Sequence, residues 1–177
     1  TADAMLAPPL PQRARRAGTD TLVALGASTG GTEAIAAVLR ELPADFPPVV
    51  IVQHMPEQFT GAFARRLDSL SALNVREARD GETLARGTAL VARGGKHVLV
   101  ERAGSGYKVE VSHGPLVCRH RPSADVLFRS CAISAGSSAI GVLMTGMGDD
   151  GARGLLEMHE AGAFTIAQDE ASSVVWG

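Results

Sequence analysis

Ser28, His54 and the adjacent pair Asp149 and Asp150 each lie just beyond a short apolar run, and together they are the side-chain types of a nucleophile, a base and an acid. Ser28 sits in LVALGASTGGTEAI, Leu22 to Ile35, where an aliphatic run meets Gly-Ala-Ser-Thr-Gly-Gly and then a helical pattern. A serine in that setting can be a nucleophile, part of a phosphate cradle, or a plain turn residue. A phosphate-binding loop ends in Gly-Lys-Ser/Thr, and residues 26–33 hold no lysine. A dinucleotide fold needs Gly-x-Gly-x-x-Gly and an acid at the end of the second strand; here the glycines fall at 26, 30 and 31, and the second apolar run ends in Gln53-His54. Gly26-Ala27-Ser28-Thr29-Gly30 does fit a nucleophile elbow, in which small flanking residues permit a tight strand-to-helix turn with Oγ exposed and the helix dipole aimed at it.

The elements that must position these groups follow from hydrophobic periodicity. Leu22 to Leu25 and Val49 to Gln53 read as buried strands; Thr32 to Leu42 and the run through Phe59, Phe63, Leu67 and Leu70 read as helices. Pro122 to Ala135 and Ala152 to Ala161 are helical, and Ala139 to Thr145, Ala163 to Ala167 and Val174 to Trp176 read as strands. Between them, Val75 to Ala78, Ala89 to Ala92, His97 to Glu101 and Tyr107 to Ser112 are short, the last two flanking Gly104-Ser105-Gly106 as a hairpin does. The expected fold is a three-layer α/β/α sandwich, doubly wound on a mostly parallel sheet, with an antiparallel hairpin at one edge.

In an open parallel sheet, functional groups gather at the carboxyl ends of the strands. Ser28, His54 and the Asp149-Asp150 pair would then share one rim. Each has a plain alternative: a water-satisfied polar strand end for His54, and a helix cap for the aspartates. The order serine, histidine, acid also differs from the usual α/β-hydrolase, whose acid precedes its histidine. Only one of the two neighbouring carboxylates is expected to reach His54, at Nδ1.

Other constellations are weaker. Cys118-Arg119-His120 with His113 lacks a second pair at zinc spacing, so no metal site is expected, and no cofactor. His97 and His159 read as packing or surface residues. Arg119, Arg121 and Arg129 surround Pro122-Ser123 and could hold a carboxylate or remain solvated.

Composition narrows the class. At 177 residues, 45% apolar and 4% aromatic, the chain can close a core of aliphatic residues. A net charge of −2 from 17 basic and 19 acidic residues gives no field for nucleic acid, and no apolar stretch approaches a membrane span. Cys118 and Cys131 are read as reduced thiols of a cytoplasmic protein. Residues 1–20 carry prolines and the cluster Arg13, Arg15, Arg16 without apolar period, the composition of a linker or arm; folded structure is expected from Thr21 to Gly177.

GASTGGTEAI, QHMP, RHRPSADVLF, TGMGDDG and AQDEASSVVWG together resemble the catalytic domain of the bacterial chemotaxis protein-glutamate methylesterases, the CheB family, from Leu22 to Gly177. The resemblance implies a serine hydrolase that removes methyl esters from glutamate side chains of chemoreceptors, releasing methanol, often with glutamine deamidation. It implies Ser28 as nucleophile, His54 as base and Asp150 as acid, with Thr29 and Met147 bordering the site and backbone N–H groups of the elbow or the Gly146 to Gly148 turn holding the oxyanion. Its implied partners are the cytoplasmic part of methyl-accepting chemoreceptors, an upstream receiver domain following which residues 1–20 would be the linker, and that domain's histidine kinase. Three departures stand out: no receiver-like sequence precedes Thr21, Asp149 occupies a position where Asn is frequent, and a final helix expected after Gly177 is absent. The residues alone leave open a related serine esterase or amidase, or a silent binding module, since a fold and a triad do not name a substrate.

Overall fold

The computed structural model describes residues 21–177; the arm expected over residues 1–20 lies outside the described residues. Strands β1 (Leu22–Ala27), β2 (Val49–Gln53), β3 (Asn74–Glu77), β4 (Thr88–Val91), β7 (Ala139–Leu143) and β8 (Phe164–Ala167) form one sheet in the order β3-β4-β2-β1-β7-β8. Every pairing in it is parallel. β1 and β2 are buried along their whole length, which is why they read as continuous apolar runs rather than alternating ones.

The two faces of the sheet are covered by different helices. Val23, Leu25 and Ala27 of β1 pack with Ile35 and Leu39 of α1 (Gly31–Arg40) and with Phe63 and Leu67 of α2 (Glu57–Leu70). Leu22 and Ala24, on the opposite pleat, pack with Leu127, Phe128 and Cys131 of α3 (Ala124–Ser134) and Met158 of α4 (Ala152–Glu160). This gives the three layers expected from the alternating pattern. The helical phase is set by what is buried: α2 turns Thr60, Phe63, Ala64 and Leu67 inward, which leaves Phe59 exposed although its spacing placed it on the apolar stripe.

The middle of the chain is arranged differently from the expected edge. β3 and β4 join the sheet in parallel. The hairpin of β5 (His97–Ala103) and β6 (Gly106–Ser112) forms a two-stranded sheet of its own. One side of it lies on α3, where Ser130 Oγ accepts from Val100 N–H at 2.9 Å and Ser134 Oγ donates to the Val100 carbonyl at 2.8 Å. The outer edge of β6 is taken by the connection between β3 and β4, through Gly81 N–H to the Val109 carbonyl, Val109 N–H to the Glu82 carbonyl and Leu84 N–H to the Tyr107 carbonyl. That connection satisfies the edge that the main sheet would otherwise have covered. Val174 to Trp176 likewise makes a single parallel bridge, Trp176 to Gly146, rather than a strand.

β1 lies between β2, reached after α1, and β7, reached only after the hairpin and α3. The chain thus runs away from β1 in one direction and returns on its other side. Such a reversal opens a crevice at the carboxyl ends of the strands.

Candidate active site

Ser28 is the first residue after β1, in a turn that closes into α1 through Gly31 N–H donating to the Ser28 carbonyl at 2.8 Å. Gly30 caps α1 at φ 81°, where an added Cβ would also strike Val174 at 2.5 Å. Gly146, in the turn after β7, lies so close to the serine that a Cβ there would stand 2.8 Å from Ser28 Cβ. Two glycines therefore fix how tightly the elbow folds and how closely the β7 turn approaches it. Gln53, at the buried end of β2, reaches across beneath them: its amide donates to the Ser28 carbonyl at 2.8 Å and to the His54 carbonyl at 3.2 Å.

His54 follows β2, its N–H donating to the Ala27 carbonyl at 3.1 Å. Its ring Nε2 lies 2.6 Å from Asp150 Oδ2, with the two side chains 10% and 2% exposed. The expectation that Nδ1 would meet the acid is corrected here. β2 and β7 flank β1 on opposite sides, roughly 10 Å apart at ordinary strand spacing, so the acid is reached by the ring nitrogen farther from the backbone. Nδ1 is left buried without a hydrogen-bond partner among the described residues.

Asp150 is held by a complete set of donors. Oδ2 accepts from His54 and from Ala124 N–H at 2.8 Å, while Oδ1 accepts from Ser123 Oγ at 2.6 Å and Asp125 N–H at 3.1 Å. These are the first amides and the cap of α3, so the helix dipole adds to the attraction. Burial pushes the carboxyl up, but the bonds from His54, Ser123, Ala124 and Asp125 outweigh it and hold it below the usual carboxylate range. The carboxylate is thus an anion that only accepts, which assigns the proton of the shared bond to His54 Nε2. Asp149 is exposed, and among the described residues its side chain makes no hydrogen bond or ion pair.

Ser28, His54, Met147, Asp149 and Asp150 border one cleft of about 220 Å³. Thr29 does not line it; its carbonyl lies 2.9 Å from the buried Thr145 hydroxyl, which also accepts from the N–H groups of Val174 and Val175. Among the described residues Ser28 Oγ makes no hydrogen bond, so the serine and the imidazole share the cleft without touching through one. The N–H groups of Ser28 and Gly146 are committed to the carbonyls of Thr145 and Val175. Those of Thr29, Met147 and Gly148 are unpaired among the described residues.

Of the remaining histidines, His97 is a packing residue, 3% exposed, between the Pro115 carbonyl and Ser123 N–H, and His159 is at the surface. Cys118 and His120 do not join His113, which is exposed; the Cys118 thiol faces Asp125 at 3.5 Å. Donor atoms of His54, His120 and Asp150 do fall within 4.8 Å of one another. The two imidazoles, however, are stacked face to face, so their in-plane lone pairs cannot converge on one ion, and the Asp150 oxygens are already engaged. Sequence reasoning did not find Gln53, Ser123 or His120 as parts of this site, because each acts through a contact with another segment.

A family model described as CheB methylesterase matches residues 23–177. The chain belongs to the CheB methylesterase family. It is 63% identical over its full length to a protein-glutamate methylesterase/protein-glutamine glutaminase 2 of Rhizobium johnstonii, covering 48% of that protein. It is 62% identical to the protein of the same description in Rhodospirillum rubrum, covering 49%. The chain thus spans about half the length of the curated relatives it matches. The crystal structure of the Thermotoga maritima CheB methylesterase catalytic domain superposes with a TM-score of 0.86 at 36% identity, covering 89% of this chain and 84% of that one. This CheB-family chain therefore carries the catalytic-domain fold of its relatives, including the six-stranded parallel sheet whose crevice holds Ser28, His54 and Asp150.

Proposed function

We propose that this chain is a serine hydrolase that removes methyl esters from glutamate side chains of methyl-accepting chemoreceptors, with Ser28 as nucleophile, His54 as base and Asp150 as its orienting acid. The observation that carries this reading is the 2.6 Å bond from His54 Nε2 to Asp150 beside the Ser28 elbow, with Nδ1 buried and free. Ser28 Oγ attacks the ester carbonyl as its proton passes to His54 Nδ1, and Asp150 stabilises the imidazolium so formed. The unpaired N–H groups of Met147 and Gly148, both on the cleft, are the donors available to the oxyanion. Collapse expels methoxide, which leaves as methanol with the proton from Nδ1. Water, deprotonated by the same nitrogen, then cleaves the glutamyl-serine ester and restores the enzyme. A glutamine side chain follows the same course with ammonia leaving, in keeping with the double name of the relatives.

The substrate in this reading is the cytoplasmic part of the receptor, and the whole protein includes an upstream receiver domain phosphorylated by a histidine kinase. The half-length coverage of the relatives supports a longer parent. The reading places the protein in the cytoplasm; among the described residues no helix is long and apolar enough to cross a membrane. The test is methanol released from a methylated receptor fragment by the chain and by Ser28→Ala. Release that requires both the receptor and Ser28 supports the proposal. A chain that cleaves a small activated ester but not the receptor would be an esterase of another substrate.

A further inference from the structure

His120 is the imidazole at this site to which the reaction above gives no role. Its ring lies flat on that of His54, with centroids 3.7 Å apart and planes within 5°. Its Nδ1 is buried without a hydrogen-bond partner, and among the described residues neither ring nitrogen makes a hydrogen bond, so the specific contact of this side chain is its face.

The backbone that delivers His120 is bent at a cost. Val117 N–H donates to the His120 carbonyl at 3.1 Å and His120 N–H to the Val117 carbonyl at 2.8 Å, closing a two-residue turn. Its central residues, Cys118 at φ 48° and Arg119 at φ 66°, are both left-handed, an arrangement ordinarily supplied by Asn and Gly. In that region Cβ crowds the backbone carbonyl oxygen, and such strain persists where the surroundings or a function require it. Beyond the turn, Arg121 donates to the Gly114 carbonyl at 2.9 Å, its own carbonyl accepts from Gly95 N–H at 3.0 Å, and Ser123 reaches Asp150 at 2.6 Å. One anchored segment therefore places a flat ring on the histidine and a hydroxyl on its acid.

The geometry points to His120 as a positioning residue for His54, acting through its ring face. This inference rests on the reading of His54 as the base. The Cβ of His54 and the bond at Nε2 leave the imidazole able to rock about the line that joins them, which would move Nδ1; a flat contact on the ring face restrains that motion. When the proton arrives at Nδ1, the face of the imidazolium also meets the flat His120 ring instead of water.

The experiment compares the chain with His120→Ala, His120→Phe and Asp150→Asn on a glutamate γ-methyl ester peptide, alongside the downfield proton resonance of His54 Nε2–H, which needs no substrate. His120→Ala is expected to lower kcat by about tenfold with KM within about twofold and the melting temperature nearly unchanged, and to broaden the downfield proton. His120→Phe, which keeps a flat face without nitrogens, is expected to restore both kcat and the resonance. Unchanged kcat and resonance in His120→Ala would overturn the inference, and so would a His120→Phe variant as impaired as His120→Ala. If the parent chain releases no methanol while the resonance still follows this pattern, the stacking role stands and the methylesterase reading fails.

Discussion

Asp150 and Asp125 exchange places as caps: the carboxylate that precedes α4 caps α3, and the carboxylate in the first turn of α3 caps α4. Asp150 accepts from Ala124 and Asp125 N–H, and Asp125 Oδ1 accepts from Gly151 N–H at 3.0 Å and Gly154 N–H at 2.6 Å. The acid facing His54 is therefore locked by two helix N-termini that pack on each other, and its orientation is set before any substrate arrives.

The two adjacent acids should behave very differently. Asp150→Asn places an NH₂ group where donors already converge and removes the charge opposite His54, so the rate should fall by up to about 10⁴-fold with a loss of stability. Asp149→Asn should change the rate by less than about threefold, because an exposed carboxylate without partners contributes little to a buried site. Steady-state methanol release by both variants checks the ranking, and a larger loss for Asp149→Asn would reassign the acid.

Ser28→Ala should abolish turnover, by about 10⁴-fold or more, while leaving the melting temperature within a few degrees. The turn is held by the Ser28 backbone, not by its hydroxyl, which makes no hydrogen bond among the described residues. Covalent labelling of the parent chain by a fluorophosphonate, absent in Ser28→Ala, gives an independent measurement.

Ser123→Ala should cost about 1 kcal/mol as a lost helix cap, since Ser123 Oγ accepts from Val126 N–H at 3.4 Å, and should also slow turnover by withdrawing a donor from Asp150. Urea midpoints and kcat report the two effects separately. Slower turnover without loss of stability would mean that the hydroxyl serves only the acid.

Acid should destabilise the fold partly through Asp150. Its native carboxyl titrates below the unfolded value of about 3.9, so its contribution is fully present above about pH 4 and is lost as the pH falls through the native value. Urea midpoints taken between pH 6 and pH 2.5 should fall less steeply at the acid end for Asp150→Asn than for the parent. Equal slopes would show that other carboxyls, such as Glu157 beside Arg129, account for the loss.

Neither thiol should react readily at neutral pH. Burial pushes Cys131 up to about 12, and burial followed by the Asp125 hydrogen bond raises Cys118, so little thiolate forms. A disulfide reagent at pH 7.5 should label half-buried Cys118 at least about tenfold more slowly than a small thiol and Cys131 only after unfolding in guanidinium. Rapid labelling of Cys131 in the native chain would contradict its burial between α3 and the sheet.

The sequence by itself determined which strands are central and where the chemistry falls along the chain. Continuous apolar runs such as Val49 to Gln53 suit only a strand covered on both faces, and the Gly-rich elbow admits only a tight turn, so Ser28 and His54 were placed by local pattern and by the rule that parallel strands present their carboxyl ends together. Local pattern could not decide the hairpin's neighbours, because β3 and β4 are too short to show whether their partners run parallel or antiparallel, and the edge of β6 is filled by a connection without periodicity of its own. Nor could spacing tell which aspartate meets the histidine, which ring nitrogen it meets, or that His120 covers the ring. Those outcomes depend on β7 returning to the far side of β1 and on a left-handed turn at Cys118 and Arg119 that carries His120 onto His54; the strand pairing and the ring stacking are contacts between residues far apart in the chain, decided only when the layers pack.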